Sequence, residues 1–590
     1  MESRRWPTAT ETSSRSLENR PSPAGLIERG GFDFPAKEWQ ILRGMTASFP
    51  RSSIRTWSSL AIFGAAFVLC GTLSGKELTG LPLLPSLTAL LLVFVSRSAL
   101  FGLLGGAICG GYLISGELIG LFPQLLVNQL LPIFSSPWKL SAILFTLLLG
   151  GFVALLEAGG GLQALLRRLI RSGEKKARRT QMMIVGFGFF VFFDGLANSM
   201  LIGRIMRSAA DRAAISREKL AYLADTTSSA VACLAFVSTW IAFQLAMIQE
   251  GYEAVGREAD VYTLFFRSIP ANFYCWFALG TAAVCIWRNF NPGSMGEAVR
   301  AAHLDSSGAS HTPTEDTDTN GHWLHAVLPV LVLILSIPVA AYWIGSETLW
   351  PLTPSTFADA YAEAEQYVPQ ILVLSSVLAS LIAMIPLVGK GARTTSRVYL
   401  GGIRDLLIPV GILLSAWMLG SVITQLGAVD QLSALLDGRL RPEFLPVAIF
   451  LVGACISFST GTSWGTMVVL MPLAIPLVWT IGGIDTDLAR EQMVVSVIAA
   501  VFSGAVFGDH CSPLSDTTIV SSIASGIEPM RHVQTQMPFA LIAAGAAVFL
   551  GFLPLGFGVP SWICWLVGLV AIAMIPSLFP GQKQGATCSS

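Results

Sequence analysis

Apolar runs of about 17 to 25 residues, long enough to carry an α-helix across a bilayer, recur along nearly the whole chain. They lie near 57–75, 81–97, 99–121, 138–158, 219–247, 262–287, 323–345, 368–388, 403–425, 493–525, 537–556 and 561–579. Inside hydrocarbon every backbone N–H and C=O must find an internal partner, so runs of this length form helices. Charged residues make up 13% of the chain, half of the roughly 25% usual in soluble domains. The expected fold is an all-α polytopic membrane protein with about 12 transmembrane helices.

Two further runs, 181–206 and 445–480, behave differently. The first is flanked by basic clusters, "RRLIRSGEKKARR" on one side and Arg204, Arg207, Arg212, Arg217 and Lys219 on the other. Cytoplasmic loops collect Lys and Arg, and a single crossing would put one cluster on the wrong side. A run that enters and returns keeps both inside, with "FFDGLANS" at its turn. The second run breaks at "SFSTGTSWGT" between mixed or acidic flanks that suit the outside. With two re-entrant hairpins entering from opposite faces, Lys37–Arg55, Lys390–Arg404 and Lys583 fall inside. The acidic stretches Glu250–Asp260 and Glu347–Glu365 fall outside.

This organisation predicts a disordered cytoplasmic arm over 1–55, with Phe32–Ile41 lying on the membrane surface. A first membrane half follows over 56–288, then a polar linker over 289–322. A second half over 323–580 and a tail over 581–590 complete the chain, with both termini cytoplasmic. "LADTTSSA" (Leu223–Ala230) and "LSDTTIVSS" (Leu514–Ser522) follow the two hairpins at matching places, and each is expected to interrupt its helix. Discontinuous helices at corresponding positions of two halves mark the central site of a transporter built as an inverted repeat.

The polar residues cluster at these places. "FGDHCSPLSDTTIVSS" packs two aspartates, a histidine and six hydroxyls into sixteen residues. Pro513 lacks an N–H and breaks the helix, exposing carbonyls beside Asp509, Ser512, Ser515, Asp516 and Thr517. Hard cations take oxygen ligands, and a carboxylate can alternatively hold a proton. Asp194 with Asn198, Asp225 with Thr226 and Thr227, and Thr460, Thr462 and Ser463 complete the candidate set. Each has a plainer reading: a helix cap for Asp225, a hairpin tip for Asp194, a small-residue packing patch for "STGTSWGT", a surface turn for 507–522. Intramembrane acids are costly and mark ion pathways, which favours a binding role. His510 and Cys511 lack the further His/Cys ligands that a zinc site needs. No nucleophile–base pair is evident, so no enzyme is expected and no cofactor. The nine cysteines are scattered singly, without disulfide spacing, and the 37 basic and 37 acidic residues balance, so nothing suggests a nucleic-acid partner.

At these residues the chain resembles the NhaC family of Na+/H+ antiporters. "GDHCSPLSDTTIVSS" is similar to the family's GDHCSPISDTT signature, "MRSAADRAAISREKLAYLADTTSSA" to its MRP-x-TD…ISREKLAY-x-DST segment, and "STGTSWGT" to its hairpin tip. The resemblance implies a secondary antiporter of the bacterial inner membrane with Na+ and H+ as transported ions. Asp194, Asp225, Asp509 and Asp516 would carry the exchangeable charge. Some relatives exchange malate and lactate, so a coupled carboxylate or amino-acid exchanger is the alternative; a homodimer is compatible with either. Relatives often show FFDDYAN where this chain has "FFDGLAN", so Gly195 and Leu196 replace an acid and a tyrosine.

Overall fold

The computed structural model describes residues 52–74, 81–171, 177–306, 321–346, 367–428, 441–484 and 486–578, with a few single positions between them. The expected N-terminal arm up to residue 51, most of the acidic stretch 347–365 and the tail from 581 lie outside the described residues. The chain forms two units, Met1–Ser58 and Ser59–Ser590; the helices that build the site belong to the second.

Among the described residues there are helices and no strands. Eleven are long and apolar enough to cross a membrane, and a pair bent by 43°, Val261–Ala271 with Phe273–Trp287, makes a twelfth. The N-terminal part comprises α1 (Ser52–Leu73), α2 (Leu84–Ser96), α3 (Ala99–Ser115), α4 (Leu118–Ser135), α5 (Pro137–Ala158) and α6 (Gly161–Arg171). The expected run 99–121 is divided here. Gly116, at φ 72°, ends α3, and α4 follows as a separate apolar helix. Three amides dilute its hydropathy; Gln124 donates to Gln425 Oε1 at 2.9 Å and accepts from Asn128 at 2.6 Å.

The first hairpin pairs α7 (Ala177–Phe190) with α8 (Gly195–Arg212). Asp194 starts α8 as its N-cap, accepting the Ala197 N–H at 2.7 Å. Next come α9 (Arg217–Leu234), an irregular segment over 235–240, α10 (Ile241–Glu253), α11 (Val261–Ser268) and α12 (Phe273–Trp287). Helix α9 runs unbroken through Leu223–Ala230, so the interruption expected there comes later, at 235–240. The four hydroxyls in "DTTSS" do not stop a helix, because Thr227 and Ser228 return their O–H to carbonyls one turn back, Leu223 at 2.8 Å and Asp225 at 2.8 Å. The true break is satisfied by side chains, as non-helical backbone at membrane depth must be. Ser238 donates to Ala232 O at 3.0 Å and accepts the Trp240 N–H at 3.2 Å, while Gln244 donates to Cys233 O at 3.1 Å.

The polar stretch that follows opens as helix α13 (Ser294–Ser306); residues 307–320 lie outside the described set. Then come α14 (Leu324–Gly345), α15 (Val368–Met384), α16 (Ala392–Asp405) and α17 (Leu407–Gln425). The second hairpin pairs α18 (Leu445–Thr460) with α19 (Ser463–Thr480). Gly461 makes its turn at φ 72°, a backbone region that disfavours side chains, and Thr462 caps α19 by accepting the Gly465 N–H at 3.1 Å. Helix α20 (Asp487–Cys511) breaks at Ser512–Ser515 around Pro513 and resumes as α21 (Asp516–Ser525), followed by α22 (Pro529–Ala546) and α23 (Ser561–Leu578).

The two halves pack reciprocally. Helices α7 and α18 each lie along the long helix that follows them, α9 and α20 respectively. The second arms reach across: α8 packs on α21, the segment after the break of the second half, and α19 packs on α10, its counterpart in the first. Each hairpin tip also meets the break in its own half. Thr239 donates its N–H to Phe193 O at 2.9 Å, and a Cβ on Gly461 would stand 2.7 Å from Leu514.

Candidate functional site

The irregular segment after α20 gathers two of the four aspartates into one buried cluster. Asp509, on the last turn of α20, is 3% exposed; its Oδ1 accepts from Ser515 at 3.2 Å. Ser229 of α9 and Ser463 of α19 face the same carboxylate. The hydroxyls form a chain: Ser515 and Thr517 lie 3.1 Å apart, and Ser229 donates to Thr517 at 3.4 Å.

Asp225 comes from the middle of α9 and is fully buried. Its Oδ2 accepts from Gln536 Nε2 at 2.7 Å and lies 3.3 Å from His532 Nε2, both on α22. Thr518 joins the two acids, with its Oγ1 at 2.5 Å from Asp509 O and 3.5 Å from Asp225 Oδ2. Each carboxylate keeps one oxygen, Asp225 Oδ1 and Asp509 Oδ2, buried without a protein partner. Among the described residues, neither forms an ion pair with a lysine or arginine; the one basic contact is His532.

The remaining candidates are divided among other positions. Asp516 begins α21 but is exposed, outside the buried cluster. Asp194 sits at the first-half break, where Thr239 donates to its Oδ2 at 3.0 Å. Asn198 holds the first hairpin together, its NH2 reaching Gly188 O at 2.7 Å and the carbonyls of Val191 and Thr227 at 3.2 Å. Thr227 and Thr460 give their hydroxyls to their own helices, and Ser512 accepts the Leu514 N–H at 3.3 Å within the break. Thr462 is a cap. Thr226 lines a small cavity with Tyr222, His510 and Gln536.

Sequence reading missed Ser229, Thr518, His532 and Gln536. The signal for the last two was present: His532 and Gln536 stand four apart, on one face of a helix whose remainder is mostly apolar. Nothing in the sequence pairs that face with Asp225, since 307 residues separate His532 from it.

What this arrangement can do follows from its ligand types. Two acids and several hydroxyls offer only oxygen to anything between them, which suits a hard monovalent cation, while both acids can also hold protons. Two like charges in a low-dielectric site repel strongly, so the cluster favours states in which a cation or a proton is bound.

A model of the Na+/H+ antiporter family matches residues 231–557, more than half of the 590-residue chain. An uncharacterized protein of Haemophilus influenzae is 29% identical over 503 residues, 83% of this chain and 94% of its own. An uncharacterized Na+/H+ antiporter of the same organism is 34% identical over 154 residues, 25% of this chain and 29% of its own. The YdaH transporter of Alcanivorax borkumensis has a similar fold, with a TM-score of 0.56 at 15% identity, covering 80% of this chain and 99% of that one. With the helical architecture and the signature-bearing break both in place, the chain belongs to the Na+/H+ antiporter family.

Proposed function

We propose that the protein is a secondary antiporter, not an enzyme, that exchanges Na+ for H+ across a bacterial inner membrane. Asp225 and Asp509 hold the cation or the proton, with Ser229, Ser463, Ser515, Thr517 and Thr518 as neutral oxygens around them. Asp194 and Asp516 line the approaches from the two breaks. The observation that carries this reading is the pair of buried carboxylate oxygens, Asp225 Oδ1 and Asp509 Oδ2, that have no protein partner. Leaving such groups uncompensated is expensive. A dehydrated Na+ between them, or a proton on either, removes the cost. A site that cannot be left charged and empty moves only when loaded, which makes exchange obligatory. An organic carboxylate fits less well, because two acids face it and no lysine or arginine among the described residues pairs with them.

Competition for one set of oxygens has a measurable consequence. Lowering the pH raises the Na+ concentration needed for half-maximal transport, since protonated sites are closed to the cation. Binding Na+ therefore releases protons, and linkage makes the two effects equal. Calorimetry of Na+ binding in two buffers of different ionisation enthalpy is expected to give different heats. Identical heats across the pH range of transport would mean that no proton is exchanged.

Alternating access in this reading depends on hairpins that enter and return. Arg179 and Arg212 flank the first hairpin and are both exposed. In a background lacking the nine native cysteines, single cysteines at these positions are expected to react with an impermeant thiol reagent from the cytoplasmic side. Reaction from opposite sides would eliminate the re-entrant arrangement.

A further inference from the structure

Beside the carboxylate cluster lies a small space bounded by Tyr222 and Thr226 of α9, Tyr274 and Ala278 of α12, His510 of α20, and Gln536 with its neighbours on α22. Its volume, about 10 Å³, admits the centre of about one water molecule. The walls are buried, with Tyr222, His510 and Gln536 each at 2% exposure or less. Two of their polar atoms have no protein partner, His510 Nε2 and Gln536 Oε1, and Tyr222 Oη lies beside the Thr226 hydroxyl.

We propose that one ordered water molecule binds between Tyr222, His510 and Gln536, and that it fixes the orientation in which Gln536 presents its NH2 to Asp225. The bonding leaves little choice. Gln536 Nε2 spends its hydrogens on Asp225 Oδ2 at 2.7 Å and His510 O at 2.8 Å, so its Oε1 needs a donor. The other ring nitrogen of His510, Nδ1, is engaged with the Tyr274 hydroxyl at 3.0 Å, so Nε2 needs a partner as well. Tyr222 brings a hydroxyl donor. One water accepts from Tyr222 and donates to Gln536 Oε1 while meeting His510 Nε2, making the three hydrogen bonds typical of an internal water. A cation is a poor occupant, because a hydroxyl hydrogen and an imidazole nitrogen are not a hard-cation ligand set. With the water in place, turning the amide over would aim its carbonyl at the Asp225 carboxylate and its NH2 at a donor. The water therefore acts on Asp225 through Gln536, and Tyr222 is a positioning residue.

The effect on transport rests on reading Asp225 as a cation-site carboxylate; the water site does not. The direct test is a density map of the full chain in lipid nanodiscs, at a resolution that shows ordered water. A single peak within about 3.2 Å of Tyr222 Oη, His510 Nε2 and Gln536 Oε1 is expected, and its absence overturns the proposal. The functional arm uses Tyr222→Phe, which keeps the ring stacked on Phe539 at 4.2 Å. Apparent Na+ affinity is expected to fall roughly tenfold, the worth of one hydrogen bond to a charged group, with the maximal rate unchanged. Unchanged affinity, or loss of rate without loss of affinity, counts against the water's positioning role. A wild-type protein that shows the peak but carries no Na+-dependent flux would refute antiport while upholding the water site.

Discussion

Asp509→Asn is expected to lower Na+-driven proton flux in proteoliposomes by roughly 100-fold or more, equivalent to about 3 kcal/mol of lost cation binding. Asn keeps the size of the side chain and can keep a hydrogen bond to Ser515, so the helix break should survive. What disappears is the charge for which Na+ and H+ compete. The contrast is with Asp516→Asn. Although Asp516 belongs to the same signature, it is exposed at the first turn of α21. Its loss removes an exposed charge near a helix N-terminus, so a fall of less than about fivefold is expected. Folding is checked by a monodisperse elution profile for both variants. A fully active Asp509→Asn protein would show that the cation sits elsewhere.

Gly508→Val is expected to prevent the protein from folding in the membrane. Helices α18 and α20 approach so closely that a Cβ on Gly508 would run into the side chain and backbone of Ser457. One turn earlier, a Cβ on Gly504 would stand 2.8 Å from Phe450 O and 2.9 Å from Ala454 N. Small residues four apart let helix backbones meet in lipid, and overpacking such a contact costs about 3 kcal/mol, a large share of ordinary stability. The yield of monodisperse protein from membranes should fall by roughly tenfold or more, since about 3 kcal/mol shifts a folding equilibrium on the order of 100-fold. Gly186→Val is the control, because a Cβ there meets nothing within 4 Å. Normal yield of the Gly508 variant would mean that α18 and α20 can separate without loss.

This close approach also explains why the signature begins with glycine. Gly508 brings α20 onto Ser457, whose hydroxyl donates to Ala505 O at 2.7 Å, and so carries Asp509 toward the tip of the second hairpin, where Ser463 lies. Packing and chemistry are adjacent in sequence because the same turn of helix serves both.

Much of this was written in the linear sequence. Long apolar runs dictate helices, because hydrocarbon offers the backbone no other partner. Pro513 dictates a break in α20, and Gly461 and Asp194 dictate turns. The sequence also named Asp225 and Asp509. It did not show that these two share a cluster while Asp516 stays outside it and Asp194 caps a helix at the other break. Helix α9 was misjudged for a related reason: hydroxyls in "DTTSS" look like a breaking signal, yet each can bond back into its own helix. The partners that define Asp225, His532 and Gln536, lie on a helix more than 300 residues away. Local patterning fixes which residues a helix presents and on which face. Which faces meet is decided by packing between distant segments, and only the tertiary structure brings α9, α20 and α22 together around two carboxylates.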